Sequence, residues 1–387
     1  MKRLFIFLLV GLFAGSCLSV KKDPVPGASR IDEYRHLIEN KTIAVVANQA
    51  SMAGRTHLVD NLLNIGINIK VIFAPEHGFR ELAADGATIK NGSDPVTGIS
   101  ILSLYGNRLK PSTEDLEGIE VVIFDIQDVG TRFYTYISTL HYVMEACAEN
   151  NVDCIVFDRP NPNGFYFDGN IADTAYRSFV AMHPVPIVHG MTIGEYAQMI
   201  NGEGWLNKGV KCDLTVIKCK DYTHKSLYEL PVRPSPNLPN QTSVYLYPSI
   251  CFFEGTRISL GRGTPYPFQV YGSPLFPDRG FSFTPESLPE STNPPLLGEK
   301  CYGVDLRNAI NDNIVPSPGI NLQWVIDAYN EYPDKDNFFT AYFDRLAAGS
   351  TLREQIQKGI TADEIRESWK EGLKEFEKIR EKYLLYE

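Results

Sequence analysis

The sequence predicts an α/β protein: a Rossmann-like, doubly wound parallel sheet with a smaller C-terminal α+β domain. Three observations predict it. From residue 42, short and continuously apolar β-rich runs alternate with helical ones, as strands buried on both faces and linked by crossover helices do. The length of 387 residues, about 370 after an export signal, suits two domains or one large domain with an appendage. The composition then changes twice: residues 230–300 are rich in proline, glycine and aromatics, and the last ninety turn helical and charged.

The chain opens with Lys2 and Arg3, an apolar run from Leu4 to Phe13, and then Ala14-Gly15-Ser16-Cys17. The apolar run is too short for a stable membrane span and reads as an export signal. Small residues before a cysteine resemble the site cut by the lipoprotein signal peptidase. Residues 1–16 are therefore expected to be removed, leaving Cys17 as a lipidated first residue at the outer membrane, facing the periplasm. Residues 17–30, with two prolines, one glycine and three basic residues, read as a tether. Residues 31–285 are expected to form the Rossmann-like domain that carries the chemistry, and 286–387 an accessory domain.

Within the first domain, Thr42–Ala47 and Ile67–Phe73 read as strands flanking a helix over His57–Leu63. Val121–Phe124 is a third strand, followed by a long helix from Tyr134 to Asn150 and a fourth strand over Cys154–Phe157. A helix near Thr192–Asn201 and a strand near Leu214–Ile217 extend the pattern. Residues 230–300 offer short strands at best. Tyr302–Leu306 reads as a strand, and Leu322–Tyr329, Leu352–Lys358 and Ala362–Tyr383 as helices. No internal repeat is visible.

The formal charge of −10 becomes about −12 once Lys2 and Arg3 leave with the signal. Such an acidic surface argues against a nucleic-acid partner. No later stretch has the length of a membrane span, so membrane contact is expected through the lipid alone. Beyond Cys17 there are six cysteines. Cys147 and Cys154 sit in segments that read as buried helix and strand, and free buried thiols are expected. No Cys/His set has zinc-site spacing. Neither a metal nor a cofactor is expected.

Parallel sheets bind ligands at the carboxyl ends of their strands, where the loops converge. Those loops are polar here. They read Asn48-Gln49, then Pro75-Glu76-His77-Gly78-Phe79-Arg80. Next come Asp125-Ile126-Gln127-Asp128-Val129-Gly130-Thr131-Arg132-Phe133-Tyr134 and Asp158-Arg159-Pro160-Asn161-Pro162-Asn163-Gly164. Carboxylates mixed with amides, guanidinium groups and aromatics suit a carbohydrate site. The acids supply acid and base or nucleophile, amides bond hydroxyls, and aromatic faces stack on sugar rings. Glu76, after a buried strand and before a His-Gly turn, is the leading general acid; the alternative is that it caps a helix or pairs with Arg80. The second carboxylate is Asp168, Asp125 or Asp128. An aspartate just after a strand also often orders its own loop, so Asp125 and Asp158 carry a structural alternative. His77, Arg132, Tyr134, Asp158, Arg159 and Asn161 are the candidate binding residues at this rim. Glu254 and Arg262 could complete the site from the Pro/Gly-rich region. Glu145, about 16 Å along the long helix from the rim, is disfavoured.

No G-x-S-x-G elbow, H-E-x-x-H, Walker A loop or G-x-G-x-x-G turn is present. These absences weaken esterase, metalloprotease, nucleotidase and dinucleotide readings.

Six segments together resemble one family. They are Pro75-Glu76-His77-Gly78, the run from Asp125 to Tyr136, Asp158-Arg159-Pro160-Asn161-Pro162, His189-Gly190-Met191-Thr192, Ser235-Pro236-Asn237-Leu238-Pro239 and Phe253-Glu254-Gly255-Thr256. In this order they are similar to the hallmark motifs of the NamZ-type exo-β-N-acetylmuramidases. The resemblance implies a site in a cleft between a Rossmann-like domain and a smaller C-terminal one. It also implies release of terminal N-acetylmuramic acid from the non-reducing end of peptidoglycan fragments, with catalytic glutamates of which Glu76 matches one. Where relatives often carry Glu-Gly-Pro, this chain has Asp168-Gly169-Asn170: either the geometry shifts or the position is not catalytic. The substrate's lactyl group is anionic, and Arg132, Arg159 and Arg262 suit it because guanidinium binds carboxylate bidentately. The rival expectation is a non-catalytic peptidoglycan- or sugar-binding envelope lipoprotein on the same fold.

Overall fold

The computed structural model describes residues 23–80, 83–84, 87, 89–310 and 318–387. The expected signal and Cys17 lie outside the described residues. Helix α1 (Ile31–Ile38) leads into strand β1 (Thr42–Ala47), helix α2 (Leu58–Asn64) and strand β2 (Asn68–Ala74). Next come β3 (Gly92–Ser93), β4 (Ser100–Ser103) and β5 (Val121–Asp125), then helix α3 (Tyr136–Asn150), β6 (Asp153–Phe157), α4 (Ile193–Gly202) and β7 (Leu214–Ile217).

These seven strands form one sheet in the order β3-β4-β2-β1-β5-β6-β7, and every pairing but β3 with β4 is parallel. The chain winds outward from β1 through β2 to β4, returns beside β1 as β5, and winds the other way to β7. The topological switch therefore lies at the carboxyl ends of β1 and β5, where such sheets open a crevice. Strands β3 and β4 are additions to the expected pattern. The first is a two-residue exposed edge, and the second is only partly buried, so neither carries the apolar signature of a central strand.

Side chains alternate across the sheet, as strand geometry requires. Ile43, Val45, Ile72, Ile123 and Phe157 pack on one face with α1 and α2. Ala44, Val46, Phe73, Phe124 and Val156 pack on the other with α3 and α4. This second core does not stop at the first domain: it continues through Tyr247, Phe343 and Trp369. Helix α4 starts at a capping box, Thr192 with Glu195, which satisfies two otherwise orphaned backbone donors.

The Pro/Gly-rich region differs from expectation. It contains a helix, α5 (Gln241–Ile250), with Pro248 inside it. The sequence Val-Tyr-Leu-Tyr-Pro looks strand-like locally, and proline removes the helical bond to the carbonyl four residues back. That carbonyl, Val244, instead accepts from Asn163 Nδ2 at 3.3 Å, so tertiary contact repairs the helix. Beyond it lie β8 (Val270–Ser273), β9 (Ser282–Phe283) and β10 (Cys301–Asp305), an antiparallel sheet with β10 central. Helices α6 (Gln323–Glu331), α7 (Ala341–Ala347), α8 (Thr351–Gln357) and α9 (Ala362–Arg380) close the chain. The C-terminal tail returns to the sheet, where Tyr386 donates to Asp158 and Leu385 N–H to Glu195. The six cysteines after Cys17 are free and buried.

Candidate active site

Strand β2 delivers Glu76 to the rim. The next two residues, His77 (φ 69°) and Gly78 (φ 90°), are both left-handed, so the chain turns sharply, and Gly78 N–H donates to Pro75 O at 3.1 Å. Left-handed backbone is costly for histidine and persists only where the surroundings hold it. Here His77 is buried, and both its carbonyl and its Nδ1 engage the backbone of Ala83. Arg80 does not pair with Glu76. It forks onto Asp60 and Asp94 at 2.5–3.0 Å, fastening the segment after the turn to α2 and to the β3–β4 connection.

Glu76 is thereby left partly exposed and facing the start of α3. Thr135 Oγ1 donates to its Oε2 at 3.2 Å, and the Tyr136 hydroxyl lies 3.4 Å from its carbonyl oxygen. Asn48 Nδ2 donates to the Tyr136 hydroxyl at 3.1 Å, and Tyr134 donates to Pro234 O at 2.9 Å. Burial, followed by the neighbouring Glu76 carboxylate, pushes the Tyr136 phenol up; burial and then Tyr136, Asp128 and Glu76 do the same to Tyr134. Both phenols are therefore neutral. Their rings meet edge to face at 5.0 Å, and Tyr134 meets Tyr247 of α5 in the same way at 5.8 Å.

These groups line a cavity of about 190 Å³ at the carboxyl ends of β2, β4 and β5. Its far wall comes from the C-terminal half of the chain: Tyr247, Glu254, Arg262, Phe268 and Tyr342. Arg262 donates Nε and a terminal nitrogen to Glu254 Oε1 at 3.1 and 2.5 Å, and its guanidinium lies 5.1 Å over the Phe268 ring. The cavity thus carries two carboxylates, a guanidinium, hydroxyls and aromatic rings, and it is narrow enough to hold them close together. Glu254, Arg262 and Tyr342 also line a second cavity of about 400 Å³ on their other side.

Of the residues expected at the site, Glu76, His77, Tyr134, Glu254 and Arg262 meet here. The others do not, and each has a structural occupation. Asp125 is the last residue of β5, fully buried, and forms a bidentate pair with Arg159 at 2.6 and 2.8 Å; Arg159 also holds Met52 O. Asp158 accepts from Arg159 N–H, Thr192, Gly194 N–H and Tyr386. Burial, against those hydrogen bonds, pushes its carboxyl up to about 7. Asp128 accepts from Gly130 N–H at 2.6 Å and orders its own turn. Asn161 bridges Met191 O and Asn163 N–H. Arg132 is fully buried and donates to the carbonyls of Asn170, Val185, Leu346 and Ala347, which ties α7 to the sheet domain. Asp168 is buried elsewhere, accepting from Arg366 and Ile320 N–H. The second carboxylate lining the cavity is therefore Glu254 rather than Asp168, Asp125 or Asp128. Of the three expected guanidiniums, only Arg262 lines it. Thr135, Tyr136, Tyr247 and Phe268 were not singled out in the sequence; the first two ended a polar run, and the last two lay in a region read as irregular.

The family model described as the N-terminal part of exo-beta-N-acetylmuramidase NamZ matches residues 43–242, and that of its C-terminal part matches residues 245–386. The peptidoglycan beta-N-acetylmuramidase NamZ of Bacillus subtilis (strain 168) is 37% identical over 375 residues, 92% of this chain and 89% of that protein. A crystal structure of a DUF1343 family protein from Bacteroides fragilis NCTC 9343 superposes with a TM-score of 0.88 at 47% identity, covering 95% of this chain and 99% of that one. A second such protein from the same organism gives 0.80 at 28% identity, covering 94% and 99%. With both family models spanning the sheet and the wall that closes it, the chain belongs to the exo-beta-N-acetylmuramidase family NamZ, a family of glycosidases.

Proposed function

We propose that this protein is a peptidoglycan glycosidase that releases terminal N-acetylmuramic acid from the non-reducing end of wall fragments, working in the periplasm from a lipid anchor at Cys17. The observation that carries the reaction is the placement of Glu76: a partly exposed carboxyl at the end of a buried strand, facing Glu254 and Arg262 across a small cavity. Glu76 serves as general acid on the glycosidic oxygen. Glu254 sits on the opposite wall, where it can orient water or the sugar, and Arg262 reaches the lactyl carboxylate. The small volume supports an exo mode, because pockets for drug-sized ligands measure about 300–1,000 Å³ and this cavity of about 190 Å³ suits a single ring. Tyr134, Tyr136 and Tyr247 supply neutral hydroxyls and ring faces for a sugar.

The test is Glu76→Gln against a chromogenic N-acetylmuramic acid glycoside and a defined muropeptide disaccharide. General acid catalysis contributes about 10²–10⁴-fold, so release of the free sugar should fall by that factor while the folded state is kept. Near-normal turnover would sink the assignment. Binding without any release in the unaltered protein would instead favour a sugar-binding lipoprotein. For the anchor, Cys17→Ser should shift the protein from the membrane fraction to the soluble periplasm.

A further inference from the structure

A larger cavity lies on the other side of α5. The helix turns 100° per residue, so Tyr245 and Ser249 share one face while Tyr247 points about 200° away from Tyr245. Tyr247 lines the catalytic cavity; Tyr245 and Ser249 line a separate open cavity of about 540 Å³. One helix, about 10–12 Å across, therefore separates the two.

The walls of this cavity are fixed by partners the catalytic reading does not use. Asp168 accepts from Ile320 N–H at 2.7 Å and from Arg366 at 2.8 Å, and Arg366 also donates to Ile320 O at 2.9 Å. Asn321 N–H donates to Ser249 Oγ at 2.9 Å. Gly319 has a φ of 128°, which favours glycine, and a Cβ there would stand 2.9 Å from the Arg366 guanidinium. This is where the Asp168-Gly169 segment finds its role: it pins a wall.

The lining has the chemistry of a neutral, hydroxyl-bearing ring. Trp324, Tyr245 and Phe165 are half-buried, and no other aromatic ring among the described residues meets Trp324. Asn163 is 1% exposed and lines the cavity. Its Nδ2 donates to Val129 O and Val244 O, which braces this wall against α5. The amide side chains of Asn321 and Gln323 belong to the same lining, where they can bond ligand hydroxyls or an acetamido group. The Arg366 charge is already balanced by Asp168, so the cavity does not select an anion.

We infer that this cavity is a second saccharide site, which holds β-linked N-acetylated amino sugars one helix away from the catalytic cavity. The inference rests on the peptidoglycan reading for its choice of polymer. The site would keep a glycan chain at the enzyme between successive releases of its end.

The probe is a β-1,4-linked N-acetylglucosamine tetramer, which lacks the lactyl group assigned to the first cavity. Titrated into the full-length protein, it should produce a saturable change in tryptophan fluorescence and a matching calorimetric isotherm. Trp324→Ala should weaken binding at least tenfold. So should Ala309→Trp, which adds bulk at the exposed rim; this second variant keeps the test valid if the first fails to fold by circular dichroism. Equal affinity in the unaltered protein and both variants would overturn the inference. Binding of a wall stem peptide in place of the tetramer would overturn it as well. Neither outcome touches the Glu76→Gln result, and Trp324-dependent binding would stand even if no N-acetylmuramic acid were released.

Discussion

Thr135 holds Glu76: its hydroxyl donates to the carboxylate across 3.2 Å, from the residue that precedes α3. Thr135 is thus a positioning residue for the proposed acid. A hydrogen bond of this kind is worth about 1–2 kcal/mol, roughly tenfold in rate. Thr135→Val should lower kcat about tenfold with little change in KM, and Thr135→Ser should restore most of it. Equal losses in both variants would assign Thr135 to packing instead.

Arg262 and Glu254 form a partly buried pair on the opposite wall. If Arg262 receives the lactyl carboxylate, Arg262→Ala should raise KM by about 30-fold or more, in line with the 2–5 kcal/mol cost of truncating a buried charged contact. The same variant should lose discrimination against an N-acetylglucosamine glycoside, which has no lactyl group. Arg262→Lys should recover only part, because a point charge cannot reproduce the fork. A discrimination ratio that does not move would exclude the contact.

Asp125 and Arg159 form a bidentate pair with both side chains almost fully buried. Removing one partner strands the other, at a cost of about 3–5 kcal/mol. Asp125→Ala should show that loss in urea unfolding at neutral pH. A change below 1 kcal/mol would mean that water reaches Arg159.

Asp158 gives stability a pH dependence. Burial raises its carboxyl to about 7 in the folded protein, against about 4 in an unfolded chain. Between those values the folded state holds the extra proton. Stability from this group is therefore greatest below pH 4, declines as pH rises towards 7, and is level above that. The slope is at most about 1.4 kcal/mol per pH unit. Asp158→Asn should flatten it in unfolding curves taken from pH 4.5 to 8; an unchanged slope would place the titration on another group.

Much of the fold was legible along the chain, because a strand buried on both faces must be apolar throughout. Thr42–Ala47, Val121–Asp125 and Asp153–Phe157 announce themselves in this way. So do the capped helices, since Thr192 with Glu195 and Thr361 with Glu364 satisfy backbone donors within four residues. The edge strand β3, its partly buried neighbour β4 and the proline-containing α5 did not announce themselves. Their stability comes from neighbours distant in sequence, such as the Asn163 amide that takes the carbonyl freed by Pro248. Glu76 was visible as a candidate for the same local reason as its strand. Its partners were not. Asp125, Asp128, Asp158 and Asp168 look as catalytic as Glu254 when only residue type and loop position are known. Only the tertiary structure separates them, because a carboxylate's role depends on what surrounds it: guanidinium groups, backbone N–H groups and hydroxyls occupy the aspartates, whereas the long return of the chain carries Glu254 and Arg262 to the cavity that Glu76 faces.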